Sequence, residues 1–303
     1  SGRKDMTVYL RMLWRAKEII SHLVRREVKV RYKGSALGFF WSFLRPLGIM
    51  AILTVVFSSL LRFEIDYEIA CRLAPEWTKG SFPIFLLLAL IPWFFTIGGL
   101  NDAVGSLLNN AALIRKVAVP GEVFPLSAVL ANLVNFLLSL LILLPVLFIF
   151  FEVPLHRYLL LLPFLICIQL VLTCGISFIL SIGNVFFRDV AIIFELVSMM
   201  WFYMTPIFYP LSMVHERLTG RYAQGTVDMI ITCFMLNPMA VLVTAYRSVI
   251  LHGVPVQGTQ ASFSLSQSQK IIAVCSVTGW TVLTVGMGIW LFQRYRKQIP
   301  DEL

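Results

Sequence analysis

Few side chains in this sequence are placed to do covalent or metal chemistry, and their spacing sets most such chemistries aside. The four histidines, His22, His156, His215 and His252, are scattered without ligand spacing or a carboxylate cluster beside them, so neither a metal site nor a general acid-base pair is expected. No G-x-x-x-x-G-K-[ST] phosphate loop occurs, which removes nucleotide hydrolysis by that route. Two acids fall in apolar runs, Glu195 well inside one and Asp102 near the end of another. Buried acids mark ion pathways in pumps, but two are thin for a proton- or sodium-driven transporter, and Glu195 reads better as facing water or pairing with a basic group. One aromatic pattern stands out: Phe194, Trp201 and Phe208 recur at seven-residue steps, with Phe202 and Tyr209 on the adjoining stripe. Seven residues are nearly two helical turns, so each set would share a face. Such a face suits sugars, whose C–H surface stacks on a ring while Tyr or Trp supplies a hydrogen bond; lipid-facing or packed aromatics would give the same pattern.

The elements that must carry these residues are apolar. Of 303 residues, 58% are hydrophobic and 14% charged, with mean hydropathy +0.83, whereas an ordinary soluble domain carries about 25% charged residues. The net charge is +9, and its placement argues against a nucleic-acid partner. Arg3, Lys4, Arg11, Arg15, Lys17, Arg25, Arg26, Lys29, Arg31, Lys33 and Arg45 all precede or begin the first hydrophobic run, which is a membrane-orientation signal beside anionic headgroups. Cys167, Cys174 and Cys275 lie within apolar runs, with Cys71 and Cys233 outside them or near the outer surface, so no disulfide framework follows. Ser1-Gly2 is set aside as a cloning remnant, and no cleavable signal peptide is expected.

A spanning helix needs about 20 mostly apolar residues. Six spans are expected, over residues 41–61, 82–105, 123–151, 158–183, 190–213 and 271–293. A further run, Met229 to Tyr246, is interrupted by Asn237-Pro238, where proline removes a donor and disfavours helix at the residue before it. Counting it as a seventh span would carry Arg294, Arg296 and Lys297 across the membrane from the other basic loops, against the positive-inside bias. It is therefore expected as a broken, partly inserted external hairpin within 214–252, with both termini cytoplasmic. The expected fold is all-α, in one transmembrane domain over 36–303 behind an amphipathic arm over 3–35. In that arm Leu10, Leu13, Trp14, Ile20, Leu23, Val24 and Val28 recur at steps of mostly three and four. This reads as a helix in the interface plane, either an ordinary surface helix or a docking element.

Three segments are more specific. Arg31-Tyr32-Lys33-Gly34-Ser35-Ala36-Leu37-Gly38-Phe39-Phe40-Trp41 leads on to Pro46, with glycines to bend the chain into the membrane and Trp41 at headgroup level. The loop 106–122 holds Asn110-x-x-Leu113-Ile114-Arg115-Lys116-Val117-x-x-Pro120-Gly121-Glu122, a proline-bounded stretch expected to expose apolar residues beside a charge pair. Asn184-Val185-Phe186-Phe187-Arg188-Asp189 forms a tight turn between the fourth and fifth spans. With Ile91-Pro92-Trp93-Phe94-Phe95, the run from Pro125 to Phe136, Thr205 to Pro210 and Leu236-Asn237-Pro238-Met239, this ordered set resembles the membrane subunits of ABC-2 type polysaccharide exporters. That family moves O-antigen, capsule and teichoic acid chains. One departure is Gly121, where family members often carry Arg, so that contact is not carried over.

The resemblance implies a multi-pass permease of the cytoplasmic membrane, a homodimer without a cofactor, paired with two copies of a separate ABC ATPase that binds ATP and Mg. Asn110, Leu113, Ile114, Arg115, Lys116, Pro120 and Glu122 would then couple to the ATPase, flanked by Arg25, Arg26, Lys29, Arg31 and Lys33 of the arm. Phe39, Trp41, Phe194, Trp201, Phe202, Phe208 and Tyr209 would line a conduit for a lipid-linked polysaccharide, Arg188 and Asp189 would form the cytoplasmic turn, and Asn237 and Pro238 an external gate. Alternatives are an ABC-2 exporter of another lipid or drug, an ion-driven flippase of lipid-linked sugars, and a membrane enzyme, for which no clustered acids or nucleophile are present.

Overall fold

A computed structural model describes residues 16–35, 38–56, 81–116, 119–150, 153, 155–251, 266–296 and 298–303. Within them the chain is helical, with no strand among the described residues. The arm helix α1 (Lys17–Tyr32) is followed by α2 (Trp41–Thr54), α3 (Ser81–Val104), the short α4 (Ser106–Asn109) and α5 (Ala111–Lys116), and the long α6 (Val123–Phe150). Then come α7 (Leu162–Phe186), α8 (Val190–Met204), α9 (Leu211–Thr219), α10 (Gln224–Leu236), α11 (Pro238–Ile250), α12 (Gln267–Tyr295) and α13 (Ile299–Glu302).

Four helices are long and apolar enough to cross a membrane, over Pro83–Val104, Val123–Ile149, Arg157–Phe186 and Gln267–Tyr295, and the bent pair α10–α11 makes a fifth if counted as one span. Two of the six expected spans look different. The expected span over 41–61 is described as helix α2 only to Thr54, with residues 57–80 outside the described set. The expected span over 190–213 stops at Met204. At about 1.5 Å per residue, the 15 residues of α8 reach about 22 Å, short of the roughly 30 Å hydrocarbon core. Thr205 ends it with extended backbone (ψ 133°), as the residue before Pro206 should. The aromatic stripe from Phe194 to Phe208 is therefore not one helix face.

The core lies between α3, α6, α7 and α12. Leu86, Leu88, Leu90, Leu100 and Leu172 are fully buried there, and the polar residues that join them are bonded to backbone. Gln169 of α7 donates Nε2 to the Pro92 carbonyl of α3 (2.8 Å) and to Thr96 Oγ1 (2.9 Å), and Asn184 donates to the Val104 carbonyl (3.0 Å). Where α7 crosses α12, a Cβ on Gly175 would stand 2.7 Å from the Val285 nitrogen, and one on Gly288 would stand 2.7 Å from Phe178 Cβ. Small residues let the two backbones meet, the way helices associate where no hydrophobic force separates protein from lipid. Outside this core, α8 exposes Ile192, Ile193, Leu196, Val197, Met199, Met200, Tyr203 and Met204, and α12 exposes Ile271, Val274, Val282 and Leu283. Apolar area of that extent fits lipid or a partner surface rather than water.

Candidate functional site

The two ends of the bundle carry different chemistry. At one end the start of α1, the 106–124 loop, the end of α7 and the C-terminal tail meet in one apolar cluster built on Ala16, Leu23, Leu107, Phe124, Phe178, Ile182, Phe292 and Ile299. Around it Arg25, Arg26, Lys29, Lys33, Arg115, Lys116, Arg188, Arg294 and Arg296 are exposed. Sequence segments far apart, expected on one side from charge alone, thus come together as a basic end.

In the loop, α5 is a short helix, and its surfaces are divided otherwise than expected. Leu113 and Ile114 are half-buried against the cluster, while Ala112, Arg115 and Lys116 face outward. Pro120 is half-buried and its carbonyl accepts from the Val123 amide (3.2 Å), and Glu122 is buried at the start of α6. Asn110, between α4 and α5, donates to the Ser106 carbonyl (2.8 Å) and accepts from Arg26 of the arm (2.8 Å). Arg26 also pairs with its neighbour Glu27 at 3.0 Å.

One turn and a half further along α1, Arg31 meets the membrane helices. Its Nη2 lies 2.5 Å from Asp102 Oδ2 in the last turn of α3, and its Nη1 donates to Asn132 Oδ1 of α6 at 3.0 Å. Asn132 closes the ring, donating Nδ2 to Asp102 Oδ2 (2.6 Å) and to the Ala128 carbonyl (2.9 Å). Tyr32 donates its hydroxyl to Asn135 Oδ1 (2.7 Å), one turn on from Asn132. Asn132 and Asn135 belong to the motif that runs from Pro125 to Phe136, and their i, i+3 spacing is a readable signal for a shared face; their partners are not readable from it. The side chains of Arg31 and Asp102 are 32% and 43% exposed, and an ion pair so open to solvent contributes about 0–1 kcal/mol to stability.

Above this ring is a cavity of about 290 Å³ lined by Arg31, Tyr32, Trp41, Arg45, Phe94, Asn132, Asn135 and Ser139 among others. The chain reaches it through Gly34 (φ 78°) and Gly38 (φ 51°), left-handed positions that suit glycine. Trp41, of the expected conduit set, stands 54% exposed at its wall. Phe39 lies in the 3-10 turn Gly38–Phe40, and its side chain is outside the described residues.

The other conduit candidates sit elsewhere. Phe194 is buried beside Leu100 and Val104. Trp201 and Phe202 pack edge-on against Trp93 with ring centroids 5.6 and 5.5 Å away. Beyond the helix end, Phe208 packs on Phe202 (6.2 Å) and Tyr209 on Phe208 (5.1 Å), with Tyr209 donating its hydroxyl to the Tyr203 carbonyl (3.1 Å). The stripe is thus an aromatic cluster folded into the chain's own bundle, held by a turn as well as a helix. Glu195 is exposed on the outer face of α8, and Arg188 and Asp189 are exposed at the turn before it.

Asn237 and Pro238 mark the expected break: α10 and α11 meet at 91°. Asn237 accepts from the Met239 amide (3.1 Å), capping α11, with Pro238 in its first turn. It also accepts from Trp201 Nε1 (2.9 Å) and donates Nδ2 to Thr205 Oγ1 (3.2 Å). Sequence reasoning misses Arg247. It is buried on α11, and its guanidinium donates to the carbonyls of Phe85 (3.1 Å and 3.0 Å), Pro206 (2.6 Å) and Ile207 (2.5 Å) while lying 3.4 Å from the Phe85 ring centroid. A lone arginine just past an apolar run is the signal that would have found it.

Apolar helices, a broken hairpin at one end and a basic, loop-built surface at the other define a multi-pass helical membrane protein. The chain belongs to the ABC-2 type transporter family, whose model matches residues 18–251. It is 31% identical over 240 residues to the O-antigen export system permease protein RfbA of Myxococcus xanthus, covering 79% of this chain and 83% of that one. The protein of the same name from Klebsiella pneumoniae is 28% identical over 279 residues, 92% of this chain and 93% of its own. The polysialic acid transport protein KpsM of Escherichia coli is 23% identical over 250 residues, 82% and 86% of the two chains.

Proposed function

We propose that this chain is the permease half of an ATP-driven exporter of a lipid-linked polysaccharide, of O-antigen or capsule type, in the cytoplasmic membrane. The observation that carries this is the similarity to O-antigen export permeases along 79% and 92% of the chain. The chain carries no phosphate loop, so the energy comes from a separate ATPase, two copies of which dock on the basic ends of a permease dimer. There Arg115 and Lys116 on α5 and Arg25, Lys29 and Lys33 on α1 form the contact, while Leu113 and Ile114 anchor α5 to its own bundle. The chain crosses the membrane six times with both termini cytoplasmic, and α9 to α11 form an external gate centred on Asn237-Pro238.

The two permeases meet along α2 and α8. With Phe194 and Trp201 packed inward, the residues that face the conduit are those α8 leaves outside, chiefly Leu196, Met200 and Tyr203. The exposure of Glu195 on that outer face gives no buried relay for an ion-driven mechanism. The test is to purify the chain with the ATPase encoded beside it, reconstitute the complex in vesicles and measure ATP hydrolysis with lipid-linked glycans. Stimulation by a lipid-linked glycan is expected. Stimulation by drugs or simple lipids alone, or transport that persists when ATP binding is abolished, would sink the proposal.

A further inference from the structure

We infer that Arg31, Asp102 and Asn132 form a positioning joint that fastens the arm to the body made by the coupling loop and the second and third apolar segments, so that the arm moves with it; the functional half of this inference rests on the exporter reading above. Four observations lead there. The apolar hold on α1 is one-sided: among its described residues Leu23 is the buried one, near the start, while Val30 near the end is 65% exposed. The second half of the arm is instead held by polar ties, Arg31 to Asp102 and Asn132, and Tyr32 to Asn135. Just past its middle, α1 reaches the coupling loop through Arg26 and Asn110. Beyond the joint the chain turns at once through Gly34 and Gly38, both at positive φ, into α2.

The ring is built, not incidental. Asp102 lies in the last turn of α3, where the helix dipole disfavours an acid, so it is the presence of Arg31 that makes the position tolerable. Asn132 is buried and reads both partners at once, accepting from the arginine and donating to the carboxylate. Room for it comes from Gly98, one turn before Asp102, where a Cβ would stand 2.9 Å from Asn132 Oδ1. The ion pair itself is too exposed to matter much for stability, but the geometry it sets is specific. The coupling loop runs directly from α3 into α6, and the ring fixes the second half of the arm to that same body.

Charge exchange tests this in the full chain with its ATPase partner. Two quantities are measured in Arg31→Asp, Asp102→Arg and the double exchange: the rate of trypsin cleavage after Lys33 in the purified full chain before the ATPase is added, and glycan moved per ATP hydrolysed in the complex. Each single variant is expected to be cleaved at least tenfold faster and to lose at least tenfold in glycan moved per ATP, while still co-purifying with the ATPase. The double exchange is expected to return both to within threefold of wild type, because the exchanged charges restore the pair across the same gap. Cleavage unchanged in the single variants, or a double variant no better than either, overturns the joint. Should either single variant fail to fold, Arg31→Gln and Asp102→Asn, which keep hydrogen bonds to Asn132, take its place with a smaller loss expected. A wild-type complex that moves no glycan would defeat the exporter reading, and the cleavage rates would still decide the joint.

Discussion

The indole N–H of Trp201 points at the side-chain carbonyl of Asn237, 2.9 Å away. With a longer bond from Asn237 Nδ2 to the Met204 carbonyl (3.3 Å), this contact joins the end of α8 to the elbow between α10 and α11. Asn237 is already engaged as the cap of α11 and as a donor to Thr205 Oγ1, so the amide is a three-way tie among a helix end, a turn and a hairpin. Loss of an N-cap costs about 1 kcal/mol, and a donor left unpaired by its removal adds roughly 1–3 kcal/mol. Asn237→Ala is therefore expected to lower thermal stability of the purified chain clearly more than Trp201→Phe, which removes one donor and keeps most of the ring. Equal losses in the two variants would show that the cap and the turn contribute nothing beyond the indole bond.

Arg247 adds polar ties between two elements that also share an apolar cluster, the start of α3 through the Phe85 carbonyl and the 205–210 turn through Pro206 and Ile207. A planar fork with five donors suits three carbonyls better than an ammonium does. Arg247→Ala leaves up to three carbonyls without this donor, each costing roughly 1–3 kcal/mol if it stays unpaired, and Arg247→Lys is expected to recover only part of that. The check is the midpoint of thermal unfolding in detergent for the three proteins. A lysine variant as stable as wild type would mean that charge, not the forked geometry, is what the site needs.

The long apolar runs make α3, α6, α7 and α12 legible, because twenty or more apolar residues have few other fates. Asn237-Pro238 announces its elbow for an equally local reason, proline's effect on the residue before it. The same rule applied to Thr205-Pro206 would end α8 at Met204, but the run of Ile207, Phe208 and Tyr209 continues the hydrophobicity and hides the stop. Hydropathy measures what a residue avoids, not which way it points. For that reason the seven-residue aromatic spacing reads as one face, when Phe194 and Trp201 turn inward and Phe208 lies past the helix. The Arg31, Asp102 and Asn132 ring is beyond sequence reasoning because Asp102 lies 71 positions from Arg31 and 30 from Asn132, and each has an ordinary local explanation.

Gly175 and Gly288 set the closeness of α7 and α12. In Gly175→Ala the new Cβ would meet backbone, the Val285 nitrogen at 2.7 Å and the Thr284 carbonyl carbon at 2.9 Å, so a side-chain rotation cannot relieve it and the helices must part. Overpacking of that kind costs about 1–3 kcal/mol. Gly279 of α12, where an added Cβ would meet nothing within 4 Å, supplies the control: Gly279→Ala should be neutral or stabilising by about 0.4–1 kcal/mol. Thermal midpoints measured side by side decide the matter, and a Gly175→Ala protein as stable as Gly279→Ala would remove the close crossing.

The inward turn of Trp201 changes how the conduit must be tested. Trp201→Ala would open a hole against Trp93 and Phe202, at a cost of about 3–5 kcal/mol, so lost export in that variant would report on folding. The neighbouring Met200 and Tyr203 face outward, 64% and 61% exposed, and serve better. If α8 lies at the seam between two permeases, Met200→Cys should give a covalent dimer with a short bifunctional thiol reagent, above the background from native cysteines, and Trp201→Cys should not. Tyr203→Ala should lower glycan export several-fold, because it removes a ring and a hydroxyl from the path, while Tyr203→Phe, which keeps the ring contacts with Phe202 (5.5 Å) and Phe208 (6.0 Å), should leave the thermal midpoint near wild type and show how much of the loss belongs to the hydroxyl. Cross-linking at neither position, together with undiminished export by Tyr203→Ala, would place the conduit away from α8.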